Sequence, residues 1–70
     1  MNADAIREML GREPFQPFVI HLSSGETHEV RHPECLIVGA NRALVYYPND
    51  DRFVFCALLH INAVEALQAT

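Results

Sequence analysis

Two alternating stretches, PFVIHL and ETHEVRH, flank the tripeptide SSG between residues 17 and 32. This constrains the fold more than any other feature of the chain. A three-residue connection ending in glycine suits a type I turn followed by a left-handed bulge residue, so a β-hairpin is predicted with Gly25 at the bulge. The faces then choose the register. Pairing Leu22 with Glu26, Ile20 with His28 and Phe18 with Val30 gathers Phe18, Ile20, Val30 and part of His28 on one face. Val19, His21, Thr27, Glu29 and Arg31 share the other. A slip of one residue would set His21 opposite His28, a tempting metal pair. It would also set Ile20 against Glu29 and Phe18 against Arg31 on the core face. The hydrophobic pattern therefore selects the first register and separates the two histidines.

Around this hairpin the chain divides into short elements. NADAIREMLG reads as a helix with Asn2 as N-cap, Asp4 and Glu8 toward its N-terminal half, and Ile6, Met9 and Leu10 on one apolar face. Gly11 is expected to end it in the left-handed conformation, and Pro14 prevents a simple continuation. A helix of two turns is unstable alone in water, so its stripe must dock on the sheet. Pro14 and Pro17 keep REPFQPF extended, with Phe15 and Phe18 plugging the junction of helix and sheet. HPE, residues 32–34, bends the second strand, because Pro33 has no N–H for the ladder. CLIVG and LVYY make a second hairpin across ANRA, and PNDDR is a turn cluster. FVFCAL is apolar on both faces and is expected to lie centrally in the sheet. LHI makes a short turn before NAVEAL, whose inward candidates are Val64 and Leu67.

The expected fold is mostly β (α+β): one short N-terminal helix and five or six short antiparallel strands, in a bent sheet or a small barrel. Seventy residues make a single small domain. A chain of this size buries only ~60% of the surface its unfolded form exposes. MNADAIREML lacks the basic start and apolar centre of a signal peptide, and the longest apolar run, FVFCALL, is far too short to span a bilayer. The expectation is a cytoplasmic chain with no membrane association.

Charge bears on partners. The chain has no lysine, five arginines against nine acidic residues, and a formal net charge of −4. Arg7, Arg12, Arg31, Arg42 and Arg52 are scattered singly, so no basic patch of the kind that neutralises phosphates is legible, and nucleic acid is a disfavoured partner. Only an oligomer gathering one arginine per subunit around an axis would restore it.

Residues 21–35, HLSSGETHEVRHPEC, hold three histidines, three glutamates and a cysteine. His32 and Cys35 have H-x-x-C spacing, and Cys56 and His60 are four apart, which together offer the two nitrogens and two sulfurs of a tetrahedral zinc site, with His28 or Glu34 as substitutes. On a straight strand Cys56 and His60 stand about 13 Å apart, so they meet only if ALLH turns. Paired CxxC knuckles are absent, and no metal or other cofactor is expected. Cys56 reads as a small buried hydrophobe. Cys35 with His32, or Ser24 with His21, would be a nucleophile–base pair only with a shielded pocket and an orienting third group. A small barrel fills its interior with side chains, and Gly11, Gly25 and Gly39 are isolated rather than a phosphate loop. No catalytic residue is assigned, and a non-enzymatic role is expected. Tyr46 and Tyr47 point to opposite faces of their strand and are the candidates for contact with a partner.

Two resemblances follow. The order of elements resembles the Sm-like (SH3-like) small barrel, with ETHEVRHPECLIVG as its long bent second strand. Asn41 sits in the loop where that family places an aspartate and an asparagine, but no aspartate precedes it, and no arginine–glycine pair occurs near LLHI. The resemblance thus implies a barrel more than an RNA site. REPFQPFVIHLSSGETHEVRHPE, with LLHI further on, resembles a group of short uncharacterised bacterial proteins, common in planctomycetes, that share a PFxPFxIHLxDGxxxxIxHPE pattern. That group supplies no activity. A protein-interaction or assembly module, joined through a sheet edge to a partner or to itself, is the expected function. An Sm-like RNA-binding oligomer is the alternative, and a zinc-stabilised module a weaker one.

Overall fold

The computed structural model describes residues 1–67. It contains helix α1 (Ala3–Leu10) and strands β1 (Phe18–Leu22), β2 (Thr27–Val30), β3 (Leu36–Val38), β4 (Arg42–Tyr47), β5 (Arg52–Ala57) and β6 (Ile61–Ala66). Single 3-10 turns, Pro33–Cys35 and Leu58–His60, link β2 to β3 and β5 to β6. Every strand pair is antiparallel, in two three-stranded sheets of order β2-β1-β6 and β3-β4-β5. The fold is mostly β as expected, and among the described residues backbone pairing does not close the two sheets into a barrel.

The first hairpin has the register that the hydrophobic pattern selects: Phe18 faces Val30, Ile20 faces His28 and His21 faces Thr27. Gly25 adopts φ +95° and donates its N–H to Leu22 O at 2.9 Å, as the three-residue turn requires. Pro33 stops the second strand, and the chain crosses to the other sheet through the 3-10 turn that begins there.

Inward side chains of both sheets build one core. Phe18, Ile20 and Val30 meet Leu36, Ala43, Val45 and Cys56, and Leu58 and Ile61 join them from the second crossover. Ile6 of α1, fully buried, completes the cluster, and Ala3, Met9 and Leu10 pack partly against it. The Asn2 side chain accepts a hydrogen bond from Ala5 N–H at the helix start. Phe15 packs on the core with its ring centroid 6.0 Å from that of Phe18.

Three expectations are corrected. Gly11 caps the helix with φ −86° and ψ 0°, right-handed rather than left-handed: its N–H bonds to Arg7 O at 3.0 Å and completes the last turn, so no left-handed residue is needed there. Strand β5 is not central. Among the described residues it pairs with β4 alone and forms the edge of its sheet, because the chain turns at Leu58–His60 and carries β6 to the far sheet beside β1. The closing strand starts at Ile61, which is buried. Val64 is turned toward the core as expected, whereas Leu67 lies beyond the strand and donates its N–H to Pro17 O.

Candidate interaction surface

The position of β5 creates the most distinctive surface of the molecule. Inward positions of β3, β4 and β5 (Leu36, Ala43, Val45 and Cys56) are buried, so by alternation the intervening residues face outward. Ile37 stands opposite Leu44, and Leu44 opposite Phe55, an apolar row across all three strands. Ile37 is 64% exposed, Phe53 56% and Phe55 71%. Beside that row Tyr46 stacks on Phe53, with centroids 4.8 Å apart and planes inclined by 28°. Single exposed apolar residues are ordinary; a contiguous set on one sheet face is not, and makes this face the candidate for contact.

The sheet edge adds backbone groups to this face. Leu58 N–H bonds to Asn41 O, which lies in register with the β4–β5 ladder. Counting from there, Arg52, Val54 and Cys56 direct their N–H and C=O groups to β4, and Phe53, Phe55 and Ala57 direct theirs outward, because an antiparallel ladder alternates. The same phenylalanines thus present rings and unpaired backbone groups. Unlike typical protected edges, Phe53–Ala57 contains no charge, proline or register break.

Of the two tyrosines, Tyr46 belongs to this face, and its hydroxyl donates to Asp51 Oδ1 at 3.4 Å. Partial burial, and then the Asp51 carboxylate, push its phenol above the usual value. Tyr47 turns inward to hydrogen-bond with Nδ1 of the buried His28, and the Arg52 guanidinium lies 4.5 Å over its ring. Burial raises the Tyr47 phenol also, against the lowering effect of Arg52. His28 Nε2 lies 3.3 Å from Glu26 Oε2, without hydrogen-bond alignment.

The four residues with metal-ligand spacing divide between two places. His32 and Cys35 sit at the first crossover and line a cleft of about 280 Å³ with Tyr46, Tyr47, Glu29 and Arg31. Glu29 and Arg31 pair at 2.8 Å there. Cys56 and His60 border a different depression, beside Phe55 and the Ser23–Ser24 turn, and His60 Nδ1 is 3.5 Å from Ser23 Oγ. Burial, with Glu26 contributing, pushes the Cys56 thiol up. The ALLH segment does turn, but among the described residues no group of three or more His, Cys, Asp or Glu side chains is placed to hold a metal ion. Of the nucleophile–base pairs, Ser24 Oγ accepts from Glu26 N–H while His21 Nε2 lies 3.0 Å from Glu65 Oε1, so each has its own partner.

Phe53, Phe55 and Ile37 are the surface residues that sequence reasoning missed. The signal for the two phenylalanines is the two-faced apolarity of FVFCAL, which by itself reads as burial within the sheet. No described helix is long and apolar enough to cross a membrane. Compared with known protein families, curated proteins and solved structures, the chain has no match in any of the three.

Proposed function

We propose that this protein is a non-enzymatic protein-interaction or assembly module whose contact surface is the outer face and free edge of β5. One observation carries the reading: Phe53 and Phe55, more than half exposed, stand on an edge strand whose outward backbone groups have no partner among the described residues. Edge strands of this kind recruit a further strand, with main-chain bonds supplying affinity and alternate side chains supplying selectivity. Three of the five arginines are engaged within the chain, which supports a protein partner over a nucleic acid. Arg7 is engaged by Asp4 and Val38 O, Arg31 by Glu29, and Arg52 by the Tyr47 ring.

The test compares wild type with a Phe53→Ser/Phe55→Ser double variant. Sedimentation over a concentration series reads self-association, and an array of immobilised extended peptides reads association with other strands. Association in either assay, lost in the double variant with its circular dichroism unchanged, is the expected result. Identical behaviour of the two proteins in both assays overturns the reading. Salt-sensitive binding of single-stranded RNA that the double substitution leaves intact would return the RNA-binding alternative to first place.

A further inference from the structure

We propose that the occupant of the β5 edge is the β5 edge of a second copy, paired antiparallel about a two-fold axis at Phe55. This rests on the reading of β5 as an interaction surface and names its partner. The other edges are less suited. β2 has four residues and β3 three, each bounded by the proline turn. β6 carries a register irregularity at Asn62, opposite His21 and Leu22 of β1, and the exposed Glu65. Among the described residues only the Phe53–Ala57 stretch of β5 offers a regular, uncharged edge.

Geometry limits the self-pairing. Residues opposite each other in an antiparallel pair share a face, so Phe53, Phe55 and Ala57 of one copy must oppose members of the same set in the other. Centring the axis on Phe55 pairs Phe55 with the partner's Phe55, and Phe53 with the partner's Ala57. That uses all three outward residues and forms roughly six backbone hydrogen bonds, whereas moving the axis to Val54 or Cys56 leaves about four.

Side chains favour the same register. The row Ile37–Leu44–Phe55 on one copy continues into Phe55, Leu44 and Ile37 of the partner, an unbroken apolar band across six strands. The partner's small Ala57 leaves room for Phe53 and the Tyr46 ring stacked on it. Charge agrees as well. Arg42, opposite Ala57, lies at one end of the face, and Asp51, held by Tyr46, lies at the other. A two-fold axis brings the Arg42 end of each copy to the Asp51 end of the other. Among the described residues Arg42 has no ion-pair partner within its own chain. Such an interface is isologous and closes at the dimer.

The register supplies the test. It places Val54 opposite the partner's Cys56 as a non-hydrogen-bonded pair, at a Cα separation of roughly 4.5 Å, close enough for a disulfide. The Val54→Cys variant under mild oxidation is expected to give a covalent dimer whose bridge maps between positions 54 and 56 and is lost on adding Cys56→Ala. A 54-to-54 bridge that survives Cys56→Ala overturns the register. Wild-type protein gives a second reading that needs no variant: amide exchange at Phe53, Phe55 and Ala57 slows at least tenfold from dilute to concentrated solution. If those amides exchange at one rate throughout while peptides still bind the face, the self-pairing fails and the interaction module stands. Assembly beyond a dimer without the 54–56 bridge also overturns the pairing and leaves the broader function intact.

Discussion

His28 and Tyr47 join the two sheets through a partly buried hydrogen bond between the imidazole Nδ1 and the tyrosine hydroxyl, with ring centroids 5.8 Å apart. His28 comes from the first hairpin and Tyr47 from the end of β4, so this is a polar clasp in an otherwise apolar seam. Its histidine is only 7% exposed, and its other nitrogen already lacks a hydrogen-bond partner. Tyr47→Phe would strip the imidazole of its one bond while preserving the ring. A buried polar atom left unsatisfied costs about 1–3 kcal/mol. Urea unfolding is expected to show that loss for Tyr47→Phe, and much less additional loss when Tyr47→Phe is placed on a His28→Leu background. Two additive single effects would mean that the bond does not stabilise the fold.

Core and outer face should separate cleanly under truncation. Ile6 is fully buried and anchors a helix that cannot stand alone, whereas Ile37 is 64% exposed on the outer face of β3. Ile6→Ala is expected to cost about 2–5 kcal/mol through lost burial and the cavity left behind, a large share of a small domain's stability. Ile37→Ala is expected to stay within about 0.5 kcal/mol in dilute solution. Thermal unfolding at low protein concentration checks both. A large loss at Ile37 there would mean that its side chain supports the monomer and not a contact between molecules.

The two glycines that end early elements should respond differently to a methyl group. Gly25 sits at φ +95° with open space around it, so the cost of Gly25→Ala is backbone strain alone, about 1 kcal/mol. Gly11 sits at φ −86°, and an added Cβ meets Arg7 O at 3.4 Å. Gly11→Ala is therefore expected to be neutral or to stabilise by up to about 1 kcal/mol, chiefly by restricting the unfolded chain. Denaturant midpoints for the pair check this. Equal losses at both positions would contradict the right-handed cap.

The contrast between those glycines shows what local sequence can and cannot reveal. At Gly25 the turn length and the flanking alternation jointly required a positive φ, and a one-residue slip was ruled out because it set Glu29 and Arg31 on the core face. At Gly11 only the residue type spoke, and glycine is also tolerated in an ordinary right-handed cap. The course of β5 was obscured for a different reason. Two-faced apolarity in FVFCAL suits a strand covered on both faces, but the local pattern does not say whether the rest of the chain supplies the second cover. The 3-10 turn at Leu58–His60 decides that, by sending β6 to the far sheet and leaving Phe53 and Phe55 uncovered. The histidines were separable by register, as His21 with Glu65 outside and His28 with Tyr47 inside now illustrate. The scattering of His32, Cys35, Cys56 and His60 over two depressions depends on both crossovers, which spacing along the chain does not encode.

Alkaline pH should weaken the fold through three groups raised in the same direction. Burial raises the Cys56 thiol above its ordinary 9.0, and burial raises the phenols of Tyr46 and Tyr47 above 10.0, with Asp51 adding at Tyr46. For each, the neutral form is favoured in the folded state, so the folded chain holds its proton at a pH where the unfolded chain has released it. Stability rises with pH only where the unfolded state binds more protons; here it binds fewer, and stability falls. The contribution is complete below pH 9, begins to drop as the unfolded thiol ionises, and drops further above pH 10 as the unfolded phenols follow. Denaturant unfolding between pH 8 and 11 is expected to give a midpoint that declines from about pH 9. Cys56→Ala should flatten the first part of that decline and leave the part above pH 10 in place, since the tyrosines remain. A midpoint that holds level through pH 11, or a Cys56→Ala profile parallel to wild type from pH 8 upward, would show that burial of these groups does not govern the alkaline limit.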